Sequence, residues 1–342
     1  MSLKKLNYVL FLILLGLFLV GCSSESGSTD EGTEESNDTT EQEQDSEQEA
    51  VESGGELNFA LHLQPPSLDP HTTTDIGTRD VSQHIFEALV TMNKGLEVEP
   101  MLAESYEISD GGETVTFKLR EGIKFHNGEE MKSDDVIASL ERWQQLSSQA
   151  QTYHGDTTFE APDDYTVIAN IPSPSTMDMY IFADMTQFAA IMPKEIVEGI
   201  GSEIVSEYIG TGPYKFEEFR QDQFVHLTKF DDYQSRTEPA DALAGEKNPV
   251  MDDIYFHFVT DASTRVAGLQ TGEYDIASLI PQDMAEQLDS DPNIVTDIAA
   301  NSFPTLIFNK KARIFTDQKM RQAVNAAVNV EDMLIAAYGS DE

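Results

Sequence analysis

The chain has 342 residues, enough for two lobes with separate cores, and a single domain would be unusual at that length. Its 62 Asp and Glu against 21 Lys and Arg give a formal net charge of -41, so phosphate backbones are repelled and nucleic acid is excluded as a partner. The same acidity implies a heavily solvated surface, or a preference for cationic ligands.

Residues 1–21 read as a signal peptide. Lys4 and Lys5 form a positive start, Val9 to Val20 is apolar apart from Gly16, and the run ends in Leu19-Val20-Gly21-Cys22. Those four residues match the bacterial lipobox, in which the thiol accepts a diacylglycerol group. The apolar run of about 15 residues is shorter than the ~20 a spanning helix needs. Cys22 is the only cysteine. Intrachain disulfides and thiolate metal clusters are therefore excluded, and lipidation at Cys22 is the expected use, with the membrane as a partner through the lipid. Residues 22–55 are rich in Ser, Thr, Glu, Asp and Gln, with no Lys or Arg. Such a segment buries too little to offset its ordering entropy, and a disordered acidic tether is expected.

From Glu56 the elements follow in order. Leu57, Phe59, Leu61 and Leu63 alternate as a strand that stops at Pro65-Pro66, and a stiff loop follows, running through Leu68-Asp69-Pro70-His71 to the hydroxyls and cation of Thr72 to Arg79. Val81, Ile85 and Leu89, with Phe86 and Val90, recur at helical spacing and predict a core-facing helix ended by Asn93-Lys94-Gly95. Tyr106 and Ile108, then Val115, Phe117 and Leu119, alternate around Asp110-Gly111-Gly112 and predict a hairpin, and Asn127-Gly128 closes a second turn. Ser133 with Asp134 and Asp135 predicts a helix N-cap, after which Val136, Leu140 and Trp143 line one core-packed face. A second ribbon is expected from Thr158 to Ile171, and a helix from Met177 to Met192. Gly210-Thr211-Gly212-Pro213-Tyr214 predicts a tight turn with close backbone approach. It lacks the Lys-Ser/Thr pair of a phosphate loop. Ile254, Phe256 and Phe258 form a strand, Asp261 caps a helix that Gly272 stops, and Tyr274 to Ala277 begins another strand, together suggesting a parallel crossover. A hinge is expected at Ala299 to Phe303, a strand at Thr305 to Asn309, a helix containing Met320 to Val324, and a short helix reaching Tyr338. The seven histidines are scattered and no HExxH, GxSxG or CxxC occurs, so no catalytic, metal or cofactor site has local support.

Several of these pieces together resemble family 5 extracellular solute-binding proteins, the receptors of peptide-type ABC importers. They are Leu102-Ala103-Glu104-Ser105, Phe117-Lys118-Leu119-Arg120-Glu121-Gly122, Phe125-His126-Asn127-Gly128, the Pro65 to Pro70 segment, Gly210 to Tyr214 and Asp261 to Asp275. The resemblance implies an α/β, two-lobed periplasmic-binding-protein-like fold of class II. Lobe I would comprise residues 56–96 and 202–298, residues 97–201 would be an appended α/β domain, and residues 299–342 would begin a second lobe left incomplete. It further implies no enzyme activity and no cofactor. A short peptide or similar small solute would be captured between the lobes by hinge closure and passed to an ABC permease and ATPase complex. The protein would act as a monomer, lipid-anchored on the extracytoplasmic face of a bacterium, Gram-positive by expectation. The loop after the first strand would face the cleft, with Thr73, Thr78 and Arg79 as ligand contacts and Gln187 as another. The alternatives are a lipid-tethered sensor or surface interaction protein on the same fold, or a receptor for nickel complexes, for which His62 and His71 flank the loop. Relatives run on for roughly half as much again, so a truncated product is expected to bind peptides weakly or not at all.

Overall fold

The computed structural model describes residues 54–297 and 305–338. The signal peptide, Cys22, most of the tether and the expected hinge lie outside the described residues. Strand β1 (Glu56–Leu61) is followed by the proline-rich loop and helix α1 (Ile76–Ser82), whose N-cap Asp75 accepts from the Thr78 amide. The helix expected to run on past Leu89 ends at Ser82. Val81, Ile85, Phe86, Leu89 and Val90 are nonetheless all buried. The reason is competition for backbone groups: the Ile85 carbonyl accepts from Gly212 N at 2.9 Å and the His84 carbonyl from Tyr214 N at 3.1 Å, in place of intrahelical partners. Strands β2 (Val90–Met92) and β3 (Val98–Pro100) then form a small hairpin around Asn93 to Gly95.

The ribbon expected from the alternation is present as β4 (Ala103–Ile108) and β5 (Thr114–Leu119). Helices α2 (Ser133–Leu146) and α3 (Ser148–His154) follow, then the second ribbon, β6 (Thr158–Asp163) and β7 (Thr166–Asn170). The four strands make one antiparallel sheet in the order β4-β5-β7-β6. Ser133 is not the cap of α2 but its first residue. The N-cap is Lys132, whose amide donates to Asp135 Oδ2 at 2.8 Å, while the Ser133 hydroxyl donates to the Asp163 carbonyl. Val136, Leu140 and Trp143 are buried on one face, as the spacing predicts. They pack with Val115, Phe117 and Phe182 into the first of two hydrophobic cores.

Helix α4 (Asp178–Ala183) is much shorter than the expected Met177 to Met192. Beyond it the chain is irregular but buried, because its backbone is bonded elsewhere: Ile191 N donates to the Glu87 carbonyl, and Met192 N and O bond the Ser139 hydroxyl. After α5 (Lys194–Ile200) come antiparallel β8 (Tyr214–Arg220) and β9 (Phe224–Lys229), then β10 (Asp253–Phe258), α6 (Ala262–Thr271) and β11 (Ile276–Ala277). Asp261 caps α6 by accepting from Thr264 N at 2.8 Å, and Gly272 ends it at φ 74°. The five-stranded sheet has the order β11-β1-β10-β9-β8, with β10 and β11 both parallel to β1, so the expected crossover is present. Its buried face, Leu61, Val225, Leu227, Ile254 and Phe256, forms the second core with Val81, Ile85 and Phe188. The last described elements are α7 (Gln282–Leu288), a 3-10 turn (Arg313–Thr316), α8 (Gln318–Ala327) and α9 (Val330–Tyr338). The strand expected at Thr305 to Asn309 is not formed, and no ladder partner for it exists among the described residues. No helix among the described residues is long and apolar enough to cross a membrane.

Candidate functional site

Because β1, β10 and β11 are parallel, their carboxyl ends meet along one edge, where open α/β sheets usually meet ligands. Arg265, on α6 and 3 % exposed, gathers that edge. Its Nε donates to Ser278 O at 3.0 Å, Nη1 to Val259 O at 2.7 Å and Thr260 O at 3.1 Å, and Nη2 to Leu279 O at 2.8 Å. Leu279 is held at φ 46° with its side chain exposed. His62, one residue past β1, places Nδ1 3.2 Å from the Ser278 hydroxyl. Burial, then the Arg265 charge, lowers its pKa, against the pull of Asp80 and Asp75.

The loop from Gln64 to Asp75 leaves β1 at this edge, and its inner end is buried. Arg142 of α2 is 3 % exposed and uses all five of its N–H groups. Nη1 donates to Asp69 Oδ1 at 3.1 Å and to His71 Nδ1 at 3.0 Å; Nη2 donates to Asp69 Oδ2 at 2.6 Å and to Glu203 O at 2.7 Å; Nε donates to Gly201 O at 2.8 Å. The Asp69 carboxylate accepts two amides as well, from His71 and Val205, each at 3.1 Å. Burial works against its charge, but the Arg142 hydrogen bonds and neighbouring positive charge win and the pKa is lowered. The His71 tautomer follows from its partners. Nε2 faces the Ala190 carbonyl at 2.9 Å and must carry the proton, leaving Nδ1 as the acceptor for Arg142. Burial chiefly, and the Arg142 charge, push the His71 pKa down to about 4, with Asp69 pulling the other way.

Of the expected contacts, Thr73 is half-buried on the loop and its hydroxyl accepts from Asp75 N at 3.1 Å. Arg79 is partly exposed but forks onto Asp80 Oδ1 through Nε at 3.0 Å and Nη2 at 2.8 Å. Thr78 is 1 % exposed and donates to Ser67 O at 2.7 Å, closing the loop on itself. Gln187 is buried, and its side-chain Nε2 donates to His71 O at 2.8 Å while its backbone carbonyl accepts from Trp143 Nε1 at 2.7 Å. Thr78 and Gln187 thus spend these groups inside the fold. Trp143 packs in the core as expected, against Phe182 and His154. Both ring nitrogens of His71 are occupied, so it offers no metal ligand, and no group of three or more potential ligands occurs among the described residues. The Asp69–Arg142 pair was missed by sequence reasoning. An arginine beside Trp143 on a core-facing helix was the available signal.

The two glycines of the second motif meet the first. A Cβ on Gly210 would lie 2.1 Å from Ile85 O and one on Gly212 2.4 Å from His84 O, so backbone approach excludes any side chain. His126 docks on this turn: its amide donates to Gly210 O at 2.9 Å, its Nε2 donates to Gly212 O at 2.9 Å, and its Nδ1 accepts from Gly210 N at 3.3 Å. Burial chiefly lowers its pKa to about 4. Thr211 Oγ1 donates to buried Glu87 at 3.1 Å, which also takes Tyr233 OH at 3.0 Å and Lys247 Nζ at 3.2 Å.

Comparison with known proteins bears on the fold and the family. The glutathione-binding protein GsiB of Escherichia coli O1:K1 is 31% identical over 276 residues, 80% of this chain and 52% of that protein. Among solved structures, DppA from Helicobacter pylori in complex with peptide STSA superposes with a TM-score of 0.70 at 27% identity, over 84% of this chain and 59% of that one. AppA from Bacillus subtilis in complex with a nonapeptide gives 0.69 at 26% identity, over 83% and 56%. The chain thus spans about half the length of the curated relatives it matches. The fold is the mixed α/β fold of class II periplasmic binding proteins. The family described as "Bacterial extracellular solute-binding proteins, family 5 Middle" matches residues 97–342, and the chain belongs to that family.

Proposed function

We propose that the protein is the substrate-binding lipoprotein of an ABC importer, a receptor and not an enzyme, which captures short peptides or similar zwitterions and delivers them to a membrane permease. Residues 56–96 and 202–298 form its first lobe, 97–201 an appended domain, and the chain from 299 onward enters a second lobe. Cys22 carries the lipid, and residues 22–55 form the tether. The ligand lies against the carboxyl edge of the five-stranded sheet, where Thr73 on the clamped loop and Arg79 on α1 reach solvent. Sequence-tolerant binding suits hydrogen bonds to a peptide's backbone and termini, each charge-assisted bond contributing about 1.5 to 3 kcal/mol.

The observation that carries the reading is the rigid, buried anchoring of the loop at that edge, in a chain of the solute-binding family. Titration calorimetry with a di- to pentapeptide library and glutathione tests it. Saturable heats with peptides support the reading; no peptide heat, with binding of a nickel complex or a sugar, refutes it. Cys22→Ser should move the protein from the membrane to the soluble fraction, and an unchanged fractionation refutes the lipid anchor.

A further inference from the structure

The loop from Ser67 to Thr78 is a closed ring of local bonds. Thr78 Oγ1 returns to Ser67 O at 2.7 Å, Thr72 Oγ1 to Asp69 O at 3.0 Å, Asp75 N to Thr73 Oγ1 at 3.1 Å and Thr78 N to Asp75 Oδ1 at 2.9 Å. Its inner half is buried and its outer half, Thr72 to Ile76, is half-buried or exposed. From α2 and from the segments after α4 and α5, the bonds that fix the ring reach Asp69 and His71: Arg142, Val205 N, the Ala190 carbonyl and the Gln187 amide. The ring's far end is held by α1, whose Arg79 N donates to Asp75 O at 3.0 Å. Only one residue, Thr72, separates His71 from Thr73, so a displaced His71 moves the rim.

We infer that Arg142 is a positioning residue for ligand capture: it clamps the inner end of this ring and thereby sets the outer rim, and the clamp holds only while His71 Nδ1 is a free acceptor. A proton on Nδ1 would set an N–H against the Arg142 N–H and add positive charge beside the guanidinium. The charged groups facing His71 are Asp69 on its own loop and Arg142 on α2, while the segment after α4 presents only the Gln187 amide and the Ala190 carbonyl. Asp69 partly offsets the added charge, but it cannot replace the lost acceptor. The midpoint for release follows the depressed His71 pKa of about 4. This inference rests on the proposed function only in giving the rim a ligand to meet.

The test is amide deuterium exchange of the full chain, corrected for intrinsic rates, comparing peptides over 67–79 with those over β8 and β9 from pH 7.5 to pH 4. The parent should lose protection in 67–79 as pH approaches 4, before β8 and β9 do. Arg142→Lys, which keeps a charge for Asp69 but has fewer donors, should exchange in 67–79 at least about tenfold faster at pH 7.5, with β8 and β9 unchanged. His71→Asn, which cannot take the proton, should remove the pH step. Unchanged 67–79 exchange in Arg142→Lys overturns the inference, as does an equal rise in β8 and β9, which means general destabilisation. Calorimetry with the dipeptide Met-Leu and with glutathione separates the two readings: a loosened loop with unchanged affinity retains the clamp and refutes the loop as the ligand's contact.

Discussion

Replacing Gly210 by alanine tests the tightest approach to any glycine among the described residues. The added Cβ would sit 2.1 Å from Ile85 O, 2.7 Å from Phe86 Cδ1 and 2.9 Å from Ile85 C, whereas ordinary contact begins at 3.4 Å. The turn must therefore retreat by about 1.3 Å, the difference between 3.4 and 2.1 Å. That movement stretches Gly212 N to Ile85 O, now 2.9 Å, and Tyr214 N to His84 O, now 3.1 Å, and it drags on the bonds from His126. Overpacking costs about 1–3 kcal/mol and two lost hydrogen bonds cost about 0.5–1.5 kcal/mol each, for a total of roughly 2–6 kcal/mol. At this chain length that lowers Tm on the order of 10 °C. Trp143, the only tryptophan, is buried in the other core, so its fluorescence in urea reports whether the loss spreads from the turn to the whole described fold. A Tm within about 2 °C of the parent would refute the close-approach argument.

Acid should destabilise the protein over a defined window. His71 and His126 have folded pKa values of about 4 against an ordinary 6.5, so above pH 6.5 both are neutral in both states and contribute no slope. As pH falls from 6.5 to 4 the unfolded chain takes the protons first, and each site removes stability on the order of 3 kcal/mol by the lower limit. Urea midpoints at pH 7, 5.5 and 4.5 check this, and His126→Asn should flatten part of the slope. Asp69→Asn leaves buried Arg142 without its counter-charge and should cost about 3–5 kcal/mol, read in the same urea series at pH 7. Leu279→Asn puts a residue that tolerates positive φ where a leucine is held at 46°, and should raise stability by roughly 1 kcal/mol in a thermal melt.

Elements whose partners are close in sequence were legible. The hairpin around Asp110 to Gly112, the Asp261 cap with its Gly272 stop, and the buried face of Val136, Leu140 and Trp143 each depend on local turn chemistry or one periodicity. The helices over Val81 to Leu89 and Met177 to Met192 were drawn too long for a shared reason. Apolar spacing shows that side chains are buried but not where backbone groups bond, and here the bonds go to Gly212, Tyr214, Ser139 and Glu87. Asp69 and Arg142 stand 73 positions apart, and nothing local marks them as partners. The proline-rich loop was rightly placed at the end of a strand, but its motif aspartate faces inward, which hydroxyl and charge counting could not reveal.

The residues that make the family recognisable are those most fully spent on one another. Phe125 is buried, His126 gives its amide and both ring nitrogens to Gly210 and Gly212, and those glycines exist to let Ile85 and His84 come close. The Asp69 carboxylate accepts four bonds and the Arg142 guanidinium donates five. Groups so engaged fix a backbone, and they have no hydrogen bond left for a solute. Under the proposed receptor function, the candidates for distinguishing one ligand from another in these residues are side chains that the motifs leave unspecified, such as His62, Thr73 and Leu279 along the carboxyl edge of the sheet, where exposure is greater. Family membership in this chain therefore identifies the frame and leaves the choice of ligand to residues outside the motifs.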